Sequence, residues 1–162
     1  LEASDKEAKL PVDLKARVGR GVLVTFSLST LDDRVARAVE PGAPRPRERL
    51  EALWRLREEG FKAGLALIPV LPFISDRGEG LESLVRAARE YDASYVLVGS
   101  LTLHGECRRR YYRALSRIAP ELLSRYDELY RGRGVPGRSY ERMLELRARR
   151  LCERYGVKYR IC

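Results

Sequence analysis

The sequence predicts an α/β protein built on a parallel sheet, and three observations carry that expectation. Apolar, β-branched runs within "GVLVTFSLST" (21–30), "AGLALIPVLP" (63–72) and "ASYVLVGSL" (93–101) read as strands. Segments of helical periodicity separate them, and strand–helix–strand alternation implies βαβ units with parallel strands. The 162 residues, 44% of them hydrophobic, suffice for one domain with a substantial core and argue against disorder.

The elements follow in order. Thr30 caps the helix after the first strand, with Asp33 as its capping-box partner. That helix ends near Glu40, because Pro41 forbids another turn. Pro41, Pro44 and Pro46 stiffen a corner, and Pro46 suits the first turn of the next helix. This second helix runs to about Glu59 with Leu50, Leu53 and Trp54 inward, and Gly60 stops it. The near-continuous apolar character of 63–72 predicts a strand buried on both faces. A loop, "FISDRGEG", leads to a helix over 81–91 with Leu81, Leu84, Val85 and Ala88 on one face, then to the third strand. Asp76 and Glu79 in that loop read as capping and solvent groups.

Beyond His104 the pattern turns helical. "ECRRRYYRALSRIA" places Tyr111, Ala114, Leu115 and Ile118 on one face, and Pro120 starts a helix to about Tyr130. "RGRGVPG" is a turn. A last helix over 139–155 aligns Tyr140, Met143, Leu144, Leu151 and Cys152, Gly156 ends it, and "VKYRIC" suits a short strand. The expected division is 1–103, an α/β unit, and 104–162, a basic helical segment.

Charge supports that division. The net charge is +9, yet residues 1–103 carry 16 basic and 16 acidic side chains. Residues 104–162 carry 16 basic against 7 acidic, and seven of the nine tyrosines. Within it, "CRRRYYR" offers Arg108, Arg109, Arg110, Tyr111, Tyr112 and Arg113. Arginine pairs bidentately with phosphate, and tyrosine stacks on unpaired bases, so one reading is a nucleic-acid-binding face. The other is a solvated helix face in an arginine-rich protein. His104, the only histidine, reads as a loop residue near the strand ends, with acid–base work as the alternative.

Other readings set limits. The chain has no Asn and no Gln, a habit of hyperthermophile proteins. Cys107, Cys152 and Cys162 are too scattered for a zinc or iron–sulfur motif; Cys152 reads as a buried thiol and Cys162 as an exposed one. No apolar run approaches a membrane span, and the charged start carries no signal peptide, so the expected compartment is the cytoplasm without a membrane partner. The sole methionine is Met143, which leads us to expect that Leu1 is not the natural start and that the chain is a fragment.

The stretch "VTFSLSTLDDRVARAVEPGAPRPRERLEALWRLREEGFKAGLALIPVLPFISD" resembles the radical SAM family that contains spore photoproduct lyase and the so-called DNA repair photolyases. The matching positions, in order, are Ser27, Thr30, Glu40, Pro41, Gly42, Pro44, Arg49, Glu51, Ala52, Gly60, Pro69, Pro72 and Asp76, within a match over about 22–101. The resemblance implies a partial (β/α) barrel of parallel strands, with S-adenosylmethionine bound at their C-terminal ends. It implies that Ser27, with Ser29 in register on the same face, lies near the ribose or amino-acid part of that cofactor. The backbone of Ile68 and Pro69 is expected against the adenine. Read without the resemblance, the serines are ordinary inward-facing strand polars.

The same resemblance implies a 4Fe-4S cluster in the parent enzyme. Its C-x-x-x-C-x-x-C ligands are absent from this chain, as are the first barrel strands. The chain by itself is therefore expected to lack the chemistry; no catalytic and no metal-ligating residue is assigned to it. The expected function is that of the C-terminal part of such an enzyme, acting on nucleic acid, with DNA as the expected partner. The alternative is a cluster-free nucleic-acid-binding module. A half-barrel exposes strand edges, so either self-association, the missing N-terminal half or the C-terminal helices should cover them.

Overall fold

A computed structural model describes residues 22–161. The first strand's Gly21, the residues before it and Cys162 lie outside the described residues. The elements are β1 (Leu23–Ser27), α1 (Asp33–Val39), α2 (Pro46–Glu58), β2 (Lys62–Val70), α3 (Gly80–Glu90), β3 (Val96–Ser100), α4 (Gly105–Ile118), a 3-10 turn (Pro120–Leu122), α5 (Leu123–Tyr130) and α6 (Arg138–Tyr155). The three strands form one open sheet in the order β1-β2-β3, all parallel. The expected α/β alternation is therefore present, and the chain closes with a long helix.

The two faces of the sheet differ. Ala63, Leu65 and Leu67 of β2 are fully buried against Leu50, Leu53 and Leu56 of α2, Leu84 and Val85 of α3, and Leu144 and Ala148 of α6. The opposite face carries Thr25, Ser27, Gly64, Ala66, Ile68 and Gly99, because side chains alternate along a strand. Ile68 on that face is 44% exposed. Tyr95 crosses it: its hydroxyl lies 2.6 Å from Thr25 Oγ1, and a Cβ on Gly64 would stand 2.5 Å from its ring. Gly64 is glycine because that ring needs the space.

A second apolar cluster sits beyond the C-terminal ends of the strands. Leu71, Leu101 and Leu103 meet Val35 of α1, Tyr111 and Leu115 of α4, and Tyr126 and Tyr130 of α5. The helices after His104 thus pack into both clusters of the α/β unit. The tail behaves as a strand only at one point: Val96 donates to Lys158 O at 2.8 Å, and Arg160 N donates to Val96 O at 2.9 Å. Tyr159 thereby bridges the outer edge of β3 in parallel.

Several local expectations need correction. The cap of α1 is Asp32, whose carboxylate accepts from the amides of Arg34 and Val35; Thr30 Oγ1 accepts from Asp32 N one step earlier. Trp54 and Met143 are 45% and 48% exposed. At about 100° per residue each lies roughly a quarter turn from its helix's buried stripe. Pro120 opens a 3-10 turn before α5. Asp76 is buried rather than solvated. Cys152 is buried as expected, and desolvation pushes its thiol up to about 11.

Candidate functional site at the strand ends

In a parallel sheet all strands finish at one end, so the residues that follow β1, β2 and β3 gather there. Ser27 ends β1 opposite Ala66, and Leu28 N donates to Ala66 O at 2.8 Å. The β2–β3 pairing is regular to Leu67↔Val98, then shifts before Val70↔Ser100. Ile68 and Pro69 occupy that irregularity, joined by a cis peptide bond. A Cβ on Gly99 would meet the Ile68 side chain at 3.2 Å, so the glycine makes room for it. A bulge of this kind turns backbone groups away from the ladder, a device common beside binding sites. The four expected cofactor residues, Ser27, Ser29, Ile68 and Pro69, therefore come to one end of two adjacent strands.

Ser29 is only 4% exposed, and its Oγ is the one buried side-chain polar atom without a hydrogen-bond partner among the described residues. Buried hydroxyls are almost always paired, so an orphan calls for a cause. Ser27 is held differently. Arg49 donates to Ser27 O at 2.9 Å and to Ser27 Oγ at 3.3 Å from one nitrogen, and to Glu40 Oε2 at 2.7 Å from another. Its Nε donates to Pro44 O at 3.0 Å. The Glu-Pro-Gly-Ala-Pro corner is thus tied to the end of β1 by a guanidinium whose side chain is 11% exposed. A hollow of about 540 Å³ lies there, with Thr25, Ser27, Glu40, Pro41 and Pro44 on its walls.

The loop after β2 is pinned by tyrosines. Tyr126 OH donates to Pro72 O and Tyr130 OH to Leu101 O, both at 2.6 Å. Tyr111 and Tyr126 share a hydroxyl contact of 2.7 Å. Asp76 accepts from Phe73 N at 2.6 Å and from Tyr140 OH at 2.7 Å. Arg147 donates to the carbonyls of Asp76 and Gly78. Burial raises the hydroxyl pKa of Tyr111, Tyr126, Tyr130 and Tyr140, since each phenolate would lose its solvation.

Those contacts correct the reading of "CRRRYYR". Tyr111 is a core ring, 8% exposed, whose hydroxyl is turned to Tyr126. Tyr112 donates to Asp127 at 2.9 Å and lies under Arg108, 4.9 Å from its ring centre. Arg108 also donates to Arg133 O at 3.3 Å, so it too serves the fold. Glu106 accepts from Arg109 and Arg110, and the Arg109 hydrogen bond, with Arg110 contributing, holds its carboxyl below the usual range. Arg113 is exposed without an ion-pair partner among the described residues. His104 precedes α4 without a side-chain capping bond, its ring packed close to Gly134.

Arg117 was absent from the sequence-based set, yet it belongs with Arg110 and Arg113. The three share one side of α4, a spacing of three and four visible in the sequence. They line a groove of about 580 Å³ between α4, the end of α1 and the segment after β3. Arg49, Asp76 and Arg147 were likewise given no site role by sequence. Among the described residues no group of three His, Cys, Asp or Glu is placed to hold a metal ion, and no helix is long and apolar enough to cross a membrane.

Comparisons with known proteins supply relatives. No family model matches the chain, and no solved structure does. Uncharacterized proteins of Mycobacterium tuberculosis and Mycobacterium bovis are each 36% identical over 148 residues, which is 91% of this chain and 44% of theirs. An uncharacterized protein of Acidianus two-tailed virus is 33% identical over 79 residues, 49% of this chain and 26% of that protein. The chain therefore spans less than half the length of the curated relatives it matches.

Proposed function

We propose that the chain is the C-terminal part of a radical SAM enzyme of the spore photoproduct lyase and DNA repair photolyase-like kind, binding S-adenosylmethionine and acting on nucleic acid. The observation that carries this is the asymmetry of the sheet. Helices cover one face, while the other carries Thr25, Ser27, Ala66 and Gly99 beside Leu97, the Tyr95 ring and a partly exposed Ile68, as the inner wall of a partial (β/α) barrel would. The orphaned Ser29 hydroxyl and the irregular backbone at Ile68–Pro69 fit a ligand with ribose, amino-acid and adenine parts. Ser27 and Ser29 would hold the polar part, and Ile68 with Pro69 would lie against the adenine. Arg49 keeps the Ser27 carbonyl and hydroxyl fixed, so the site costs little reorganisation on binding. Beside a reduced iron–sulfur cluster, the cofactor these residues hold would supply one-electron chemistry. The cluster's ligands would come from residues outside this chain.

The coding DNA upstream of Leu1 tests this reading. A continuous frame carrying C-x-x-x-C-x-x-C is the expected result. A start codon or an in-frame stop just ahead of Leu1, with no partner subunit supplying the cysteines, would overturn it. A second reading, a cluster-free nucleic-acid-binding module in the cytoplasm, is favoured by the groove beside Arg113 and Arg117, which this chain builds alone.

A further inference from the structure

We infer that the groove between α1 and α4 holds an unpaired nucleic-acid strand, its phosphates on Arg113 and Arg117 and one base or sugar against the apolar wall. The inference rests on the nucleic-acid reading above and gives it a place and a strand preference. The groove joins arginines to an apolar wall. Arg110, Arg113 and Arg117 stand along α4, with Tyr111 and Ala114 of the same helix among its apolar residues. Ala38, Val39 and Leu103 complete the apolar wall, Thr102 lies beside it, and no carboxylate lines the space. Neither Arg113 nor Arg117 has an ion-pair partner among the described residues, so both are available to an anion. Planar guanidinium groups suit phosphate oxygens. The apolar wall accepts the face of a base or a sugar. A duplex presents its phosphates outward and keeps its base faces stacked, so it engages the arginines but leaves the apolar wall unused.

The groove also leads somewhere. Pro41 lines both it and the hollow beside Ser27, so the two spaces adjoin at that residue. A strand held by Arg113 and Arg117 therefore runs toward the exposed face of the sheet. Arg108, Arg109 and Tyr112 stand outside this path, their polar groups spent on the fold; Tyr111 lines the groove with its hydroxyl held by Tyr126.

The test is fluorescence anisotropy of a labelled oligothymidylate of about 12 nucleotides with the full chain, since single-strand sites span roughly 4–16 nucleotides. Arg113→Gln/Arg117→Gln should weaken binding at least about tenfold and lower the slope of log K against log salt by about 1.4. Ala38→Trp fills the groove without changing charge and should weaken binding about fivefold or more, whereas Arg109→Gln should change it less than about twofold. A duplex of equal length should bind more weakly and ignore Ala38→Trp. Thermal unfolding of each variant checks the fold, and the arginine pair is exposed enough to leave it intact. Wild-type binding that neither the arginine pair nor Ala38→Trp alters would overturn the groove and leave the nucleic-acid reading standing elsewhere on the surface. Equal affinity for duplex would overturn the strand preference. No binding of either oligonucleotide by the wild type would overturn both.

Discussion

One nitrogen of Arg49 donates to both the carbonyl and the hydroxyl of Ser27, at 2.9 and 3.3 Å. The same side chain reaches Glu40 and Pro44. A largely buried guanidinium therefore decides how the first strand ends and how the proline corner sits against it. Removing it strands the Glu40 carboxylate and two carbonyls. Arg49→Ala should cost about 2–4 kcal/mol in urea unfolding. Arg49→Lys, which keeps the charge but loses the fork, should fall between the two.

Gly64→Ala tests the crossing of Tyr95. The new Cβ would meet the ring at 2.5 Å and the Tyr95 carbonyl at 2.6 Å. Backbone cannot give way as a side-chain tip can, so about 3 kcal/mol should be lost, read from the thermal midpoint or urea unfolding. A loss below about 0.5 kcal/mol would mean that the ring lies elsewhere.

Tyr140→Phe removes one of the two partners of the buried Asp76 carboxylate. A hydrogen bond to a charged group contributes about 1.5–3 kcal/mol, and that loss is expected in equilibrium unfolding.

Alkaline pH should unfold the protein, and the sign is fixed by direction. Tyr111, Tyr126, Tyr130 and Tyr140 have hydroxyl pKa values raised above their ordinary 10.0, chiefly by burial. Cys152 is raised from 9.0 to about 11 by the same cause. A raised folded value gives stability that is complete below the unfolded pKa and lost as pH climbs toward the folded one. Stability should therefore hold to about pH 9 and fall steadily above pH 10. Absorbance at the phenolate band should show these tyrosines ionising together with unfolding. Gradual ionisation of all of them near pH 10 in a still-folded protein would contradict their burial.

The parts of the fold legible in the sequence are those with an unbroken period. Ala63, Leu65 and Leu67 announced the buried face of β2, although the expected burial of both faces fails at Ile68, which is 44% exposed, and Leu50 and Leu53 announced the inward stripe of α2. Trp54 and Met143 misled because hydrophobicity alone does not separate the middle of a stripe from its margin. The tyrosines were the larger difficulty. A tyrosine has an apolar ring and a polar tip, so one composition serves a stacking surface or a core that pins carbonyls. Tyr126 and Tyr130, four residues apart on α5, took the second role, each reaching a carbonyl at a strand end. No local pattern reveals a carbonyl 54 residues away. Arg117 was legible in its spacing from Arg110 and Arg113. Arg49 was legible as part of a motif, but its grip on Ser27 exists only once β1 and α2 meet.

Ser29→Ala separates folding from binding. The Ser29 hydroxyl has no hydrogen-bond partner among the described residues, so its loss should leave stability unchanged or raise it by up to about 1 kcal/mol. If S-adenosylmethionine takes that hydroxyl as a partner, the same variant should bind it about five- to tenfold more weakly.

The most direct measurement is calorimetric titration of S-adenosylmethionine into the product of the complete reading frame, assembled anaerobically with the iron–sulfur cluster that the proposed function requires, as wild type and as Ser29→Ala. Saturable binding by the wild type, weakened about five- to tenfold in the variant, is the expected result. A wild type that carries its cluster and binds no cofactor would contradict the enzyme reading, and binding indifferent to Ser29 would remove the strand-end serine from the site.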